Sequence, residues 1–412
     1  GILNTQIKPV LSMTEFVPLM ALMISLIALS IDAMLPALPN IGSDLGAGTV
    51  NDQQLIVTSL LLGMGLAQMV YGPLSDTIGR KRAIYSGYVI FVIGCALSIW
   101  STSFEMMLTG RVLQGVGAAG PRIICIALVR DQYEGREMAR IMSFVMGVFI
   151  LVPALAPVVG QGIIMLSHWR AIFVLFLVLS ITAWIWFAVR QPETLLPEKR
   201  VPFTLSIIWS GVKETCGNRV SFGYTMVAGT IFGAFVGYLS SAQQMFDVIY
   251  GITEMFPLYF AVLALSIGTS SFINARLVMR FGMRLLSSHA LRCLTAMSVA
   301  YFAYAFFVDM TPALELNMAY FVAAFLCTGI LFGNVSAIAM EPLGHIAGVG
   351  AAVVGSLSTL LSVMLGGLIG QAFDGTVLPL VGGFTVLGLL AMAIMHWAEL
   401  GNVRDHSADG HV

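Results

Sequence analysis

The sequence predicts an all-α membrane protein: twelve transmembrane helices in two six-helix bundles, with both termini in the cytoplasm. Three observations predict it. Of 412 residues, 58% are hydrophobic and only 10% charged, against about 25% charged in an ordinary soluble domain. Twelve apolar windows follow one another, each near the roughly 20 residues that a helix needs to cross a hydrocarbon core about 30 Å thick. Lys and Arg gather in alternate breaks between the windows, as cytoplasmic loops require.

The windows run over residues 14–38, 52–75, 82–101, 105–129, 138–166, 169–190, 219–247, 253–280, 285–309, 315–340, 346–372 and 378–399. Arg80, Lys81 and Arg82 follow the second window, and Arg130, Arg136 and Arg140 follow the fourth. Arg190, Lys199, Arg200, Lys213 and Arg219 fall around the break after the sixth, and Arg280 and Arg284 in the break after the eighth. The opposite breaks carry only Arg170, so the charged breaks are read as inner loops and an even number of crossings returns the chain to that side. No stretch shows the charged, apolar and small-residue order of a cleavable signal, and a start at Gly1 reads as a trimmed chain. The first helix is then expected to serve as its own insertion signal.

Residues 191–218 form the longest polar break, with Pro192, Pro197 and Pro202, and divide the windows six and six. The expected organisation is an N-terminal bundle (1–190), a cytoplasmic linker (191–218), a C-terminal bundle (219–400) and a cytoplasmic tail (401–412). Within the linker, "FTLSIIWSGVKETCG" (203–217) has the pattern of an amphipathic helix lying on the inner leaflet. A weak repeat supports two related halves: "DTIGRKR" (76–82) is echoed by "MRFGMRL" (279–285) after the eighth window. Paired halves with repeated loops are a transporter pattern. Glycine, 42 of 412 residues, is frequent inside the windows, as in "GVGAAG" (115–120), and lets helix backbones approach closely.

Composition also excludes. With 20 basic and 21 acidic residues and a net charge of −1, no basic face remains for nucleic acid. The five cysteines show no C-x-x-C or Cys/His spacing and read as reduced structural thiols. There is no H-E-x-x-H, G-x-S-x-G or phosphate loop, and the six histidines are scattered, so no enzyme chemistry, metal or cofactor is expected. A channel remains a third class, which saturable exchange would separate from a transporter.

Away from window ends, Asp32, Arg111 and Arg122 stand out as charges in the first half. Each costs at least ~2.5 kcal/mol on insertion scales, which makes intramembrane charge a functional hypothesis by default. Asp32 and Arg111 each lie about six residues from the outer end of their windows, which places them at one expected depth. Desolvation disfavours an ionised carboxylate and a nearby guanidinium favours it, so small changes in geometry can load or release a proton. The alternative is a fixed ion pair joining two helices. Arg122 follows Arg111 by eleven residues, within about 20° of the same face and about 16 Å along the axis. A guanidinium fork suits carboxylate or phosphate, whereas a structural Arg122 would bond backbone carbonyls. The second half offers neutral groups instead, among them Gln243, Gln244, Asn274, Asn317, Asn334, Tyr224, Tyr238, Tyr259, Tyr301 and Tyr320. Tyr238, Gln244 and Asn334 are the substrate-contact candidates there.

These residues resemble the bicyclomycin/chloramphenicol-resistance (Bcr/CflA) drug:proton antiporters of the major facilitator superfamily. "GPLSDTIGRKR" (72–82) is similar to the superfamily's loop between its second and third helices, with Gly72, Asp76, Gly79 and Arg80 matching and Thr77 where an Arg is usual. The resemblance implies that Asp76 helps lock the halves in the outward-open state. "RVLQGVGAA" (111–119) resembles the fourth-helix motif and assigns proton coupling to Arg111. Gly147 with "VPALAPVVGQ" (152–161) resembles the fifth-helix antiporter motif, so Pro153, Pro157 and Gly160 are implied bending points; Ala156 and Gln161 replace two usual glycines. "IDAMLPALP" (31–39) resembles the first-helix signature and implies that Asp32 is the protonated substrate-site acid. The resemblance implies the major-facilitator fold and proton-coupled efflux of a small amphipathic or anionic molecule, an antibiotic or a secreted metabolite such as a siderophore. The chain would work by alternating access as a monomer in a bacterial inner membrane, driven by the proton gradient. Arg122 stands where a small or apolar residue is expected in drug exporters of this branch, which favours an anionic cargo. The rival is a proton-coupled symporter importing a small carboxylate, and the sign of the pH change on adding substrate to vesicles separates the two.

Overall fold

Helix follows helix because apolar runs in a bilayer must satisfy their own backbone groups. The computed structural model describes the backbone of residues 8–133 and 135–408, with the side chains of these except 135–136, 138–140, 142–149 and 401–408. Gly147 and the expected tail 401–412 lie outside the residues described in full.

The helices are α1 (Met13–Asp32), α2 (Leu38–Asp44), α3 (Leu55–Ile78), α4 (Arg80–Ile99), α5 (Phe104–Gln132), α6 (Gly135–Leu166) and α7 (Arg170–Arg190). They continue with α8 (Leu205–Gly217), α9 (Arg219–Gln244), α10 (Phe256–Phe281), α11 (Met283–Phe307), α12 (Leu314–Met340), α13 (Ala347–Gln371) and α14 (Leu378–Ala408). Among the described residues, ten stretches are long and apolar enough to cross a bilayer; one of them, Leu314–Gln371, holds both α12 and α13, and Ile150–Leu166 within α6 is a shorter apolar helix. No strand occurs among the described residues.

The first window does not form one helix. α1 ends at Asp32, a 3-10 turn covers Leu35–Ala37, and α2 restarts at Leu38. Pro36 and Pro39 explain the interruption, since each lacks the N–H that a continuing helix would use, and each sits in the first two positions of a new segment. Elsewhere polar side chains fix helix starts: Ser103 accepts from Met106 N at 3.2 Å to open α5, and Asn218 from Ser221 N at 3.0 Å to open α9.

The chain divides into two compact units, one of residues 1–47 and 59–207, the other of residues 48–58 and 208–412. In the first unit α4 and α5 meet along a glycine seam. A Cβ on Gly87 would stand 2.8 Å from Gly117 O, and one on Gly94 2.7 Å from Gly110 O, so only glycine permits this approach. α3 packs on the neighbouring face of α5, where Gly115 meets the backbone of Leu60 and Met64. In the second unit, α9 and α13 pack through Gly229, Gly233 and Gly237 against Leu361, Leu365 and Ile369. An aromatic cluster of Tyr238, Phe260, Phe321, Phe325 and Phe384 fills the space beside α9, α10, α12 and α14.

Candidate functional site

Asp32 closes α1 and is 5% exposed. Among the described residues, no hydrogen bond or ion pair reaches its carboxylate. Ser25, two turns earlier on the same face, is likewise buried, with no partner for its hydroxyl among the described residues. Buried polar groups are normally satisfied, so this face of α1 is built to receive something.

Two contacts set the register of α1 on α5. The Phe16 and Tyr133 rings lie 5.5 Å apart, and Cys125 Sγ is 3.9 Å from Met23 Sδ, so the helices run antiparallel. Continued at helical rise, this register places Asp32 opposite Val116, about 7.5 Å outward-to-inward from the level of Arg111 and about 9 Å from that of Arg122. Asp32 thus sits between the two arginine levels, not at the depth of Arg111 as counting from window ends suggested. The count from the window end is the reason, since the apolar span runs on through α2 to Asp44, six residues past the expected end at 38.

The two guanidiniums have different surroundings. Arg111 is fully buried and donates from Nη1 to Gln114 Oε1 at 3.0 Å, with its guanidinium 5.9 Å from the Phe173 ring centre. Gln114 is itself fixed to α4, donating to Gly94 O at 3.1 Å and Ser98 Oγ at 2.8 Å. Arg122 is half-buried and points toward α3, its Nη1 3.5 Å from Met64 Sδ. No ion pair joins Asp32 to either arginine among the described residues.

The loop motif forms a dense polar corner of the first unit. Arg80 donates to Asp76 at 2.6 Å, to Asp131 at 2.9 Å and to Ser75 Oγ at 2.8 Å. Gly79 holds φ at +98°, a conformation that favours glycine, and its counterpart Gly282 holds +78°. Since Gly79 has no side chain to cap α4, Glu193 of the linker does so: Oε1 accepts from Arg80 N at 2.9 Å and Oε2 from Lys81 N at 3.0 Å. Thr77, standing at the usual Arg position, donates to Val201 O at 2.6 Å. In the second unit Arg284 makes the corresponding corner with Glu341 at 2.9 Å and Glu399 at 3.0 Å, and Tyr224 donates to Glu399.

This paired architecture has a match across most of the chain: the Major Facilitator Superfamily model covers residues 20–367. The chain belongs to the major facilitator superfamily. An uncharacterized MFS-type transporter, YdgK of Bacillus subtilis, is 30% identical over 349 residues, 83% of this chain and 85% of that protein. The bicyclomycin resistance protein homolog of Haemophilus influenzae is 27% identical over 88% of this chain and 91% of its own. The chloramphenicol resistance protein of Pseudomonas aeruginosa is 29% identical over 82% of each. In three dimensions, the partially occluded inward-open xylose transporter XylE of Escherichia coli matches with a TM-score of 0.72 at 13% identity, covering 93% of this chain and 97% of that one. The superfamily and these relatives make the protein a multi-pass membrane transporter with antibiotic-resistance homologues rather than an enzyme.

Within this major-facilitator chain the remaining candidates separate. Gly160 of α6, an expected bending point, lies against the carbonyl oxygen of Ala33 and buttresses the α1 break beside Asp32. Pro153 and buried Pro157 interrupt the α6 ladder, and Gly72 has open space where a side chain would stand. Tyr238 packs among rings, its ring centre 4.8 Å from that of Phe325. Gln244 accepts from Gln54 Nε2 and donates to Asn51 Oδ1 at 2.8 Å, and Asn334 exchanges two hydrogen bonds with Asn274 at 2.8 and 3.0 Å. These amides are therefore engaged within the second unit. Half-buried Phe232, Phe235 and Phe332, ring centres 5.5–5.9 Å apart, present the more open aromatic face there. Sequence reading passed over Gln114, Asp131 and Glu193. The first lay in the quoted α5 motif and Asp131 in "ALVRDQYEGREMAR" (127–140), which also resembles the Bcr/CflA family; Glu193 was visible only as a charge in a polar break.

Proposed function

We propose that this transporter is a proton-driven exporter of a small amphipathic or anionic molecule, either an antibiotic or a secreted metabolite such as a siderophore. It would act as a monomer in the bacterial cytoplasmic membrane, by alternating access, with no cofactor and no nucleic-acid partner. The observation that carries the reading is Asp32: a buried acid at a helix break, without a counter-ion among the described residues. Such a group is stable there when it holds a proton or a ligand donor, and unstable when bare. Proton and substrate then need only compete for one carboxylate. The names of the bicyclomycin and chloramphenicol resistance relatives support export as the direction.

In this cycle the outward-open state takes a proton onto Asp32, which releases substrate; the inward-open state loses that proton to the cytoplasm and binds the next molecule. Arg111, held by Gln114, supplies a positive field about 7.5 Å away in depth. Each charge moved is worth about 2.3 kcal/mol per 100 mV. The test uses everted vesicles energised by respiration, with cationic, neutral and anionic candidates added to dissipate the pH gradient. Wild type is expected to exchange at least one class for protons and Asp32→Asn none. Proton-driven exchange by Asp32→Asn at the wild-type rate would overturn the reading, and a pH change of the opposite sign would make the protein a symporter.

A further inference from the structure

We infer that α8 is a docking strap for the anionic inner leaflet, with one edge seated on the second unit and the opposite face inserted among lipid headgroups. The seated edge is defined by contacts. Gly211 and Thr215 are buried, and a Cβ on Gly211 would run into the side chain of Val349 in the first turn of α13. One turn on, Glu214 meets His345. The opposite face is apolar and open: Leu205 is 74% exposed and Trp209 59%, with Cys216 exposed two turns further on.

Height decides what covers that face. Only Asn218 separates α8 from α9, itself long and apolar enough to span the bilayer. The seat on Val349 places α8 level with the start of α13 as well. A 13-residue helix at the ends of two membrane spans meets the interfacial zone on whichever side is not protein. Charge chooses the headgroup. Lys213 holds its ammonium 5.4 Å from the Trp209 ring centre, the arrangement of a basic side chain whose stem lies along apolar surface while its head reaches polar groups. Lys199 and Arg200 precede the helix and Arg219, held on Trp397, follows it, whereas Glu214 is occupied by His345 and leaves Glu198 as the remaining acid. Clusters of this sign next to a span bind anionic lipid.

The test is spin labelling of the full-length protein at positions 205 and 209, one at a time with the native cysteines replaced, in vesicles of pure phosphatidylcholine or with added phosphatidylglycerol. Relaxation by oxygen, which enters lipid, is compared with relaxation by a water-soluble nickel chelate. Labels at 205 and 209 are expected to favour oxygen, more strongly in the anionic vesicles, and Lys213→Gln to reduce that difference. Labels at 205 and 209 relaxed mainly by the nickel chelate in both membranes would overturn the docking, and equal immersion in both membranes would overturn the anionic assignment.

Discussion

Replacing Glu193 by Ala tests how the linker holds the polar corner at the start of α4. Its carboxylate accepts from the amides of Arg80 and Lys81 at 2.9 and 3.0 Å, and from Thr194 and Leu195 at 3.1 and 3.0 Å. Two of these are otherwise orphan donors at the start of α4, whose cap residue Gly79 offers nothing. Loss of a side-chain cap costs about 0.5–2 kcal/mol, and loss of a negative charge at a helix N-terminus a further ~0.3–1 kcal/mol. A combined loss of about 2 kcal/mol corresponds to roughly 30-fold faster opening, at tenfold per 1.4 kcal/mol. Hydrogen exchange read by mass spectrometry in nanodiscs should show that acceleration at the Arg80 and Lys81 amides, with little change in the middle of α5. Glu193→Gln should fall between, because its carbonyl still serves Arg80 while its NH2 faces the Lys81 donor. Unchanged exchange in the Ala variant, or an equal loss across the whole unit, would refute the capping argument.

Further expectations concern other contacts. Gly160→Ala pushes a methyl into Ala33 O; overpacking of this kind costs about 1–3 kcal/mol, and a lower Tm together with slower transport should follow. Asn334→Leu strands buried Asn274, at about 1–3 kcal/mol, and the Asn274→Leu/Asn334→Leu double variant should recover part of the loss in thermal unfolding, with substrate affinity little changed. Arg122→Ala should weaken binding of anionic ligands more than neutral ones of similar size in a thermal-shift screen; equal losses would make Arg122 structural. Partial desolvation by its neighbours pushes the exposed Cys216 thiol above its ordinary value. The thiolate is the reactive form, so alkylation should be slower than that of a free thiol at neutral pH, with the midpoint of its rate–pH curve displaced upward.

Much of the helical order was legible because its signal is long-range and redundant: apolar length, alternating basic loops, and proline or glycine at the breaks. The charges Asp32, Arg111 and Arg122 were legible for the same reason, since each stands out against an apolar run. Their relative depths were not, because the first span runs on through α2 to Asp44, past the window edge from which the count was made. The neutral amides were the least readable. Asn334 and Gln244 look alike in sequence, and only three-dimensional proximity shows that one pairs with Asn274 and the other with Gln54 and Asn51. Glu193 illustrates the general limit: a cap supplied from more than a hundred residues away leaves no local pattern.

Infrared difference spectroscopy of the purified protein, comparing wild type with Asp32→Asn across acid and alkaline pH, addresses the titrating acid without needing a substrate. A protonated-carboxyl band that disappears on alkalisation in wild type and is missing from the variant is the expected result. A wild-type spectrum identical to that of the variant at every pH would contradict the account.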